Sequence, residues 1–188
     1  MVRLRVGPVS FIIDWMYGRI PGLGWLLNRF HPIYVYNKPA RYKFLDELRG
    51  KYRPAEGTAH LCLNSLELGR HIALFPEGKR NRDPVFLMRG RMGAARIAQI
   101  SGVPIVPVGI DFTARLKRGR VPVIGKAIFR VGKSLIVCRD KYGQYGIPSS
   151  GQPLSTPILR DITSEVMDRL ALLSGKFRRP ENPAKIDK

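Results

Sequence analysis

In the stretch Phe75-Pro76-Glu77-Gly78-Lys79-Arg80-Asn81-Arg82-Asp83, two carboxylates and three cations gather around one glycine, directly after the apolar run "HIAL". Pro76 stiffens such a turn, and Gly78 lets the backbone come close to a ligand. Lys79, Arg80 and Arg82 supply charge-assisted donors, which suits capture of a phosphate. Glu77 in the same turn can hold an arginine fork or accept from a ligand hydroxyl. A solvated polar turn closing a strand accounts for the same residues, so this pattern alone leaves two readings open.

Other phosphate and catalytic signatures fail. "GKR" lacks the upstream glycine spacing and the following Ser/Thr of a P-loop, and "PGLGWL" has no third glycine. There is no Gly-x-Ser-x-Gly elbow and no His-Glu-x-x-His helix. The three histidines, His31, His60 and His71, are widely separated, so no metal is expected. Cys62 and Cys138 lie far apart within apolar segments and read as reduced core residues, which fits a cytosolic setting.

The chain has 188 residues, enough for one domain with its own core, and 33 Lys+Arg against 14 Asp+Glu give a net charge of +19. Such a surface seeks anions: nucleic acid, lipid headgroups or phosphorylated metabolites. Nucleic acid is not the expected partner, because the aromatics cluster with aliphatics near the N-terminus instead of interleaving with basic residues. No segment reaches the ~18–20 apolar residues of a membrane span. "MVRLRVGPVSFIID" makes a poor signal peptide, since Asp14 cuts a brief apolar stretch. The expected location is the cytoplasmic side of a membrane, soluble or peripheral.

The elements that must position the motif follow from periodicity. Residues 11–36 suggest a helix, the turn "PGLG", a short helix and the strand "PIYVY". Their aromatics beside Arg19 and Arg29 suit either a core or the water–lipid interface. "ARYKFLDELRGKY" reads as helical. "TAHLCLNSLELG" is a helix with Ala59, Cys62, Leu63 and Leu66 on one face and Gly69 as its cap. "HIALF" is a buried strand ending at Pro76. "GRMGAARIAQISG" is a helix with Ala94, Ile97, Ala98 and Ser101 sharing a face, closed by Gly102. The strand "VPIVPVGIDF" is interrupted by Pro104 and Pro107, so it belongs at an edge or pairs irregularly. "AIFRVGKSLIV" offers one or two strands. A last helix starts at Thr156 as N-cap and ends at Gly175, with Leu159, Ile162, Val166, Leu170 and Leu173 apolar. This order predicts one α/β domain over 1–175, with a mixed, mostly parallel sheet flanked by helices, and a basic flexible tail over 176–188. Ligands in such folds gather at the carboxyl ends of strands, where "FPEGKRNRD" stands.

Several of these blocks carry a family resemblance. "ALFPEGKRN" resembles the Phe-Pro-Glu-Gly-Thr-Arg-Ser block of the glycerolipid acyltransferases typified by 1-acyl-glycerol-3-phosphate acyltransferase, with Lys79 and Asn81 replacing Thr and Ser. "RMGAARIAQISGVPIVPV" is similar to that family's following helix and its Val-Pro-Ile-Val-Pro block, with Arg91 where a lysine is usual. "PGLGWLLNRFHPIYVYN" resembles a further block, with Asn37 at its usual arginine. The resemblance implies a glycerolipid acyltransferase-like fold and transfer of a fatty acyl group from a thioester to a glycerol-phosphate or lysophospholipid hydroxyl. The donor would be acyl-CoA or acyl carrier protein, a co-substrate, with no cofactor. An anionic membrane surface and a phosphate-bearing acceptor are the implied partners. Glu77, Gly78 and Arg80 would bind the acceptor and its phosphate, with Phe75, Pro76, Lys79 and Arg91 beside them and Pro104 and Pro107 shaping the neighbouring site.

The family's catalytic base, a His followed five positions later by Asp, finds no match. His31 is followed at that offset by Tyr36, His60 by Ser65 and His71 by Pro76. In the family that block lies upstream of the segment resembled by "SFIIDWMYGRIPGLGWLL". The expectation is therefore an N-terminally shortened enzyme with no catalytic residue of its own. The alternative is a non-catalytic module on the same fold that binds anionic lipid or phosphate.

Overall fold

The computed structural model describes residues 7–20, 22–36, 54, 56–112, 115–118, 121–124, 127–137 and 155–179. The predicted helix over 41–53, Asn37 and Cys138 lie outside them. Two compact units divide the chain, residues 1–75 and 76–188.

In the first unit β1 (Val9–Asp14) is the central strand of a parallel three-stranded sheet, between β2 (Ile33–Val35) and β3 (His71–Ala73). Ile12 pairs with Ile33 and Val9 with His71. Parallel neighbours require crossovers. The first is a 3-10 turn, Trp15–Arg19, followed by α1 (Leu23–Asn28). The predicted helix at the start of this region is thus a strand. Trp15, directly after the strand, is 2% exposed and stacked on Tyr36 at 5.8 Å. Asp14 ends the strand and turns the chain, its carboxylate accepting from Met16 N–H at 3.4 Å.

The second crossover contains α2 (Thr58–Glu67). Cys62 and Ser65 are its buried positions, while Ala59 is exposed and Leu63 and Leu66 half-buried. The inward face is therefore rotated from the predicted one, because the helix rests on β2 and β3 through the turn that holds Cys62 and Ser65. Burial pushes the Cys62 thiol up to about 11, so it stays protonated as a core residue. The chain leaves α2 through Gly69 in the left-handed region. β3 is half-buried rather than fully buried, with His71 exposed, since among the described residues it pairs on one side only.

The second unit holds β4 (Phe86–Leu87), α3 (Gly93–Ser101), β5 (Val108–Phe112), β6 (Arg115–Arg118), β7 (Val121–Ile124), β8 (Ala127–Val131), α4 (Thr156–Ser174) and β9 (Phe177–Arg178). β4 and β9 pair in parallel, β5 with β8 and β6 with β7 antiparallel. The described strands thus form mixed α/β architecture in short sheets flanked by helices.

The core of this unit joins Ala95, Ala98, Leu135, Val137, Leu159, Ile162 and Val166. On α3 the fully buried residues are Ala95, Ile97 and Ala98, so the expected Ala94 and Ser101 sit at the margin of the face that meets α4. Ser155, one residue earlier than predicted, stands at the N-cap position of α4 without a side-chain bond to it, and Pro157 occupies the first turn. Thr163 and Met167 join the predicted apolar stripe as buried residues. Both prolines of "VPIVPV" precede β5 instead of interrupting it. Between them Ile105 makes an isolated bridge to Leu135.

Gly24 in "PGLG" has a packing reason. A Cβ there would collide with the carbonyl of Gly18, so only glycine lets α1 lie this close to the 3-10 turn. Backbone cannot yield as a side-chain tip does. Gly24→Ala is expected to destabilise the first unit by about 1–3 kcal/mol, read as a lower urea midpoint with an unchanged slope.

Candidate functional site

The predicted motif becomes a loop of the second unit, running from Pro76 to Arg91 and closed at both ends. Arg91 N–H donates to Pro76 O at 2.7 Å. Met88 N–H donates to Glu77 Oε2 at 3.0 Å, which ties the first turn to the segment after β4. Gly78 has φ +64, and a Cβ on it would stand 2.5 Å from Arg91 Cδ. The missing side chain is what admits the Arg91 stem. Any larger residue would push Arg91 off the turn and strain the backbone as well.

Further along, Asn81 and Asp83 shape the loop through their own side chains. Asn81 Oδ1 accepts from Asp83 N–H at 2.9 Å, and Asn81 Nδ2 donates to Phe86 O at 2.8 Å. Asp83 Oδ1 accepts from Val85 N–H at 2.9 Å and Phe86 N–H at 3.0 Å. Its Oδ2 accepts from Arg179 Nη2 at 2.7 Å. These bonds hold the Asp83 carboxyl at about 2, below its ordinary 3.8. The Phe86 N–H contributes most, followed by Arg179 and the Val85 N–H.

Both carboxylates are thus engaged with backbone or with residues outside the loop. The loop's cations are not. Lys79, Arg80, Arg82, Arg89 and Arg91 are all exposed, and none of their side chains makes an ion pair or hydrogen bond with a described residue. α3 starts two residues after Arg91, so its N-terminal N–H groups add positive potential at that end of the loop. The arrangement offers an anion several donors on a braced backbone.

Of the predicted site residues, Pro76, Glu77, Gly78 and Arg91 come together through direct contacts. Lys79 and Arg80 follow on the same loop, and Phe75, largely exposed, ends the first unit. Pro104 is exposed and Pro107 buried. Pro107 O accepts from Gly132 N–H at 2.9 Å, a contact toward β8 rather than the loop. Glu77 braces Met88 instead of gripping an arginine. Sequence reasoning missed the structural role of Asp83. Its signal was local: an Asn and an Asp two apart, each able to bond the backbone ahead of it.

The first unit carries an open cleft of about 460 Å³ between β2 and α2, lined among others by His31, Tyr34, Tyr36, Asn64 and Arg70. None of the predicted site residues lines it. Among the described residues no three His, Cys, Asp or Glu side chains gather as a metal site.

The Asp83 bonds make the loop's stability depend on pH. A carboxyl held at about 2 against an ordinary 3.8 contributes stability that is complete above the ordinary value and fades as the pH falls through 2. Asp83→Asn should lower Tm at pH 7, and the gap to the wild type should narrow between pH 4 and pH 2. Tm measured across that range checks the sign.

Comparison with known proteins bears on the same residues. Residues 2–111, more than half of the chain, match the Acyltransferase family. Among solved structures, the crystal structure of the 1-acyl-sn-glycerophosphate (LPA) acyltransferase, PlsC, from Thermotoga maritima aligns with a TM-score of 0.52 at 21% sequence identity. The alignment covers 87% of this chain and 55% of that one, so the chain spans little more than half of PlsC's length. At that identity the likeness speaks for the fold. A comparison with curated proteins found no match. The family match takes in the cation-bearing loop, Pro104 and Pro107, and on that match the chain belongs to the acyltransferase family.

Proposed function

We propose that this chain supplies the acceptor-binding part of a glycerolipid acyltransferase acting in phospholipid biosynthesis. The reaction moves a fatty acyl group from acyl-CoA or acyl carrier protein to a lysophospholipid or glycerol-phosphate hydroxyl. The hydroxyl oxygen attacks the thioester carbonyl, the C–S bond breaks, an ester forms, and the thiol leaves with the hydroxyl's proton. The thioester brings its own activation, so the reading calls for no cofactor and no metal.

The observation that carries the proposal is the loop of residues 76–91. Its carboxylates are used within the protein, and five exposed cations remain around a glycine turn. Arg80 and Arg91 would hold the acceptor's phosphate, Lys79 would add charge, and Gly78 would let backbone approach it. Glu77 would keep the turn in place.

Exposed aromatic and aliphatic side chains in the first unit favour a peripheral place on an anionic membrane, on the cytoplasmic side. Tyr17, Ile20, Leu23, Trp25, Leu26 and Phe30 are exposed within fourteen consecutive residues. Arg29 lies 4.9 Å above the Trp25 ring, pairing a cation with an interfacial aromatic. No described helix is long and apolar enough to cross a membrane.

These 188 residues contain no His-x-x-x-x-Asp pair. That favours one alternative, a non-catalytic anionic-lipid or phosphate-binding module on the same fold. Activity separates the two. A general base contributes ~10²- to 10⁴-fold, so the chain alone should turn over lysophosphatidic acid and acyl-CoA poorly. Extension by an upstream segment bearing His-x-x-x-x-Asp should raise the rate by at least that factor. An extended chain inert toward several donors and acceptors, yet still binding lysophosphatidic acid, would establish the module instead.

Two binding measurements test the substrate side. Arg80→Ala should weaken lysophosphatidic acid binding about tenfold, more at low salt than at high, by calorimetry. Trp25→Ala combined with Phe30→Ala should reduce co-sedimentation with phosphatidylglycerol vesicles while leaving binding of a short-chain, monomeric lysophosphatidic acid intact.

A further inference from the structure

The cation-bearing loop is not held by its own residues alone. Directly after Gly175 ends α4, the segment Lys176–Arg179 returns to it from about ninety residues away in sequence. Phe177 N–H donates to Val85 O at 2.9 Å, and β9 pairs with β4 so that Phe177 faces Phe86. Those two rings lie 6.3 Å apart. Lys176 Nζ donates to Asp83 O at 3.2 Å, and Arg179 Nη2 donates to Asp83 Oδ2 at 2.7 Å. Between them Arg178 points back to α4, donating to Ser164 Oγ at 2.7 Å and Asp168 Oδ1 at 2.8 Å. The segment therefore ties the loop to a helix whose Ile162, Val166 and Met167 are in the core.

Its contribution to global stability is small by construction. A two-residue strand pair has no independent stability, Phe177 is two-thirds exposed, and exposed ion pairs contribute little. Yet three of its four consecutive residues bond to residues 83–85, and the fourth anchors the segment. This is the pattern of a part that fixes geometry locally. The family match ends at residue 111 and assigns this segment nothing.

We propose that Lys176–Arg179 is a positioning clamp for the cation-bearing loop, holding residues 83–87 so that the loop keeps one arrangement of Arg80, Arg82 and Arg91 for an anionic ligand. That the ligand is a phosphate rests on the function proposed above; the clamping of the loop does not. A loop already in its binding shape spends less of its interaction energy on ordering itself, so the clamp raises affinity without touching the ligand.

The test uses the full chain and the variants Lys176→Ala/Arg179→Ala, Arg179→Ala and Arg179→Lys, with Arg80→Ala for comparison. Amide hydrogen exchange is read at Val85, Phe86, Met88 and Arg91 and, as reference, in the buried turns of α4. Binding of a short-chain lysophosphatidic acid is read in parallel. The double variant should exchange about tenfold faster at the loop amides with α4 unchanged, and Arg179→Lys should restore most of the protection lost in Arg179→Ala. The same double variant should bind the lipid several-fold more weakly. Arg80→Ala should lose binding with no change in exchange. Unchanged loop exchange in the double variant overturns the clamp, as does equal acceleration in α4. Faster loop exchange with undiminished affinity overturns its role in presenting the cations. A wild-type chain that does not bind the lipid overturns the phosphate reading, and exchange then decides the clamp independently.

Discussion

Like charges within one short loop must be held near each other by something other than their own attractions. Residues 79–91 carry five cations, and any two charges brought to about 4 Å repel by about 1 kcal/mol even in water. Pairing them with Glu77 and Asp83 would relieve the repulsion but would also consume the donors. The structure takes the other course. Glu77 accepts from Met88 N–H, and Asp83 accepts from Val85 and Phe86 N–H and from Arg179, which lies outside the loop. The carboxylates fix the backbone and the cations remain open to an external anion, so the field of the loop is available to whatever binds it.

This solution makes demands elsewhere in the second unit. Carboxylates bonded to backbone brace the loop internally, but the outer stretch around Asp83 needs an anchor in the core. α4 supplies it: a nineteen-residue helix, buried along Leu159, Ile162, Val166 and Met167, that stops at Gly175 and releases the chain toward β4. Fully burying a side chain such as Ile162 contributes about 1.5–3 kcal/mol, far more than any one surface ion pair, so the rigid end of this linkage is the helix. α3 leaves the loop at its other end and packs small Ala95 and Ala98 into the same core. The exit into α3 and the tie to α4 thus lead to the same packed layer.

Features governed by neighbours in sequence were legible before the fold was known. The loop's turn chemistry, the helices closed by Gly69, Gly102 and Gly175, and the placement of a strand before Pro76 all follow from residues within one or two turns of each other. From Phe11 on the sequence suggests a helix where the structure has the strand Val9–Asp14, because the apolar run Phe11–Ile13 is too short to distinguish a strand from a buried helix. The inward faces of α2 and α3 came out rotated, since which residues face inward depends on the angle at which strands and helices meet. Phe177–Arg178 read as tail because the partner of β9 is Phe86–Leu87, far outside any local window. Within the candidate site the same division holds. Gly78, Arg80 and Glu77 stand out locally, whereas the bond from Arg179 to Asp83 spans 96 positions and leaves no pattern in either segment.

The loop's design also limits what it can contribute to a reaction. On the acyl-transfer reading proposed above, a phosphate on the acceptor would keep its charge as the hydroxyl attacks a thioester, so fixed cations would bind the ground state and the transition state about equally. Such uniform binding lowers the concentration of acceptor required but does not speed the chemical step. What it provides is orientation: once the phosphate is fixed, the glycerol hydroxyl sweeps a small volume, and a base placed in that volume acts at high effective concentration. None of the loop's own side chains is suited to be that base. Lysine and arginine side chains offer donors only, and Glu77 and Asp83 already hold backbone N–H groups. On the acyl-transfer reading proposed above, the loop would therefore act together with a proton acceptor supplied from elsewhere. The rigidity of the loop would then bear on chemistry in which the loop takes no direct part.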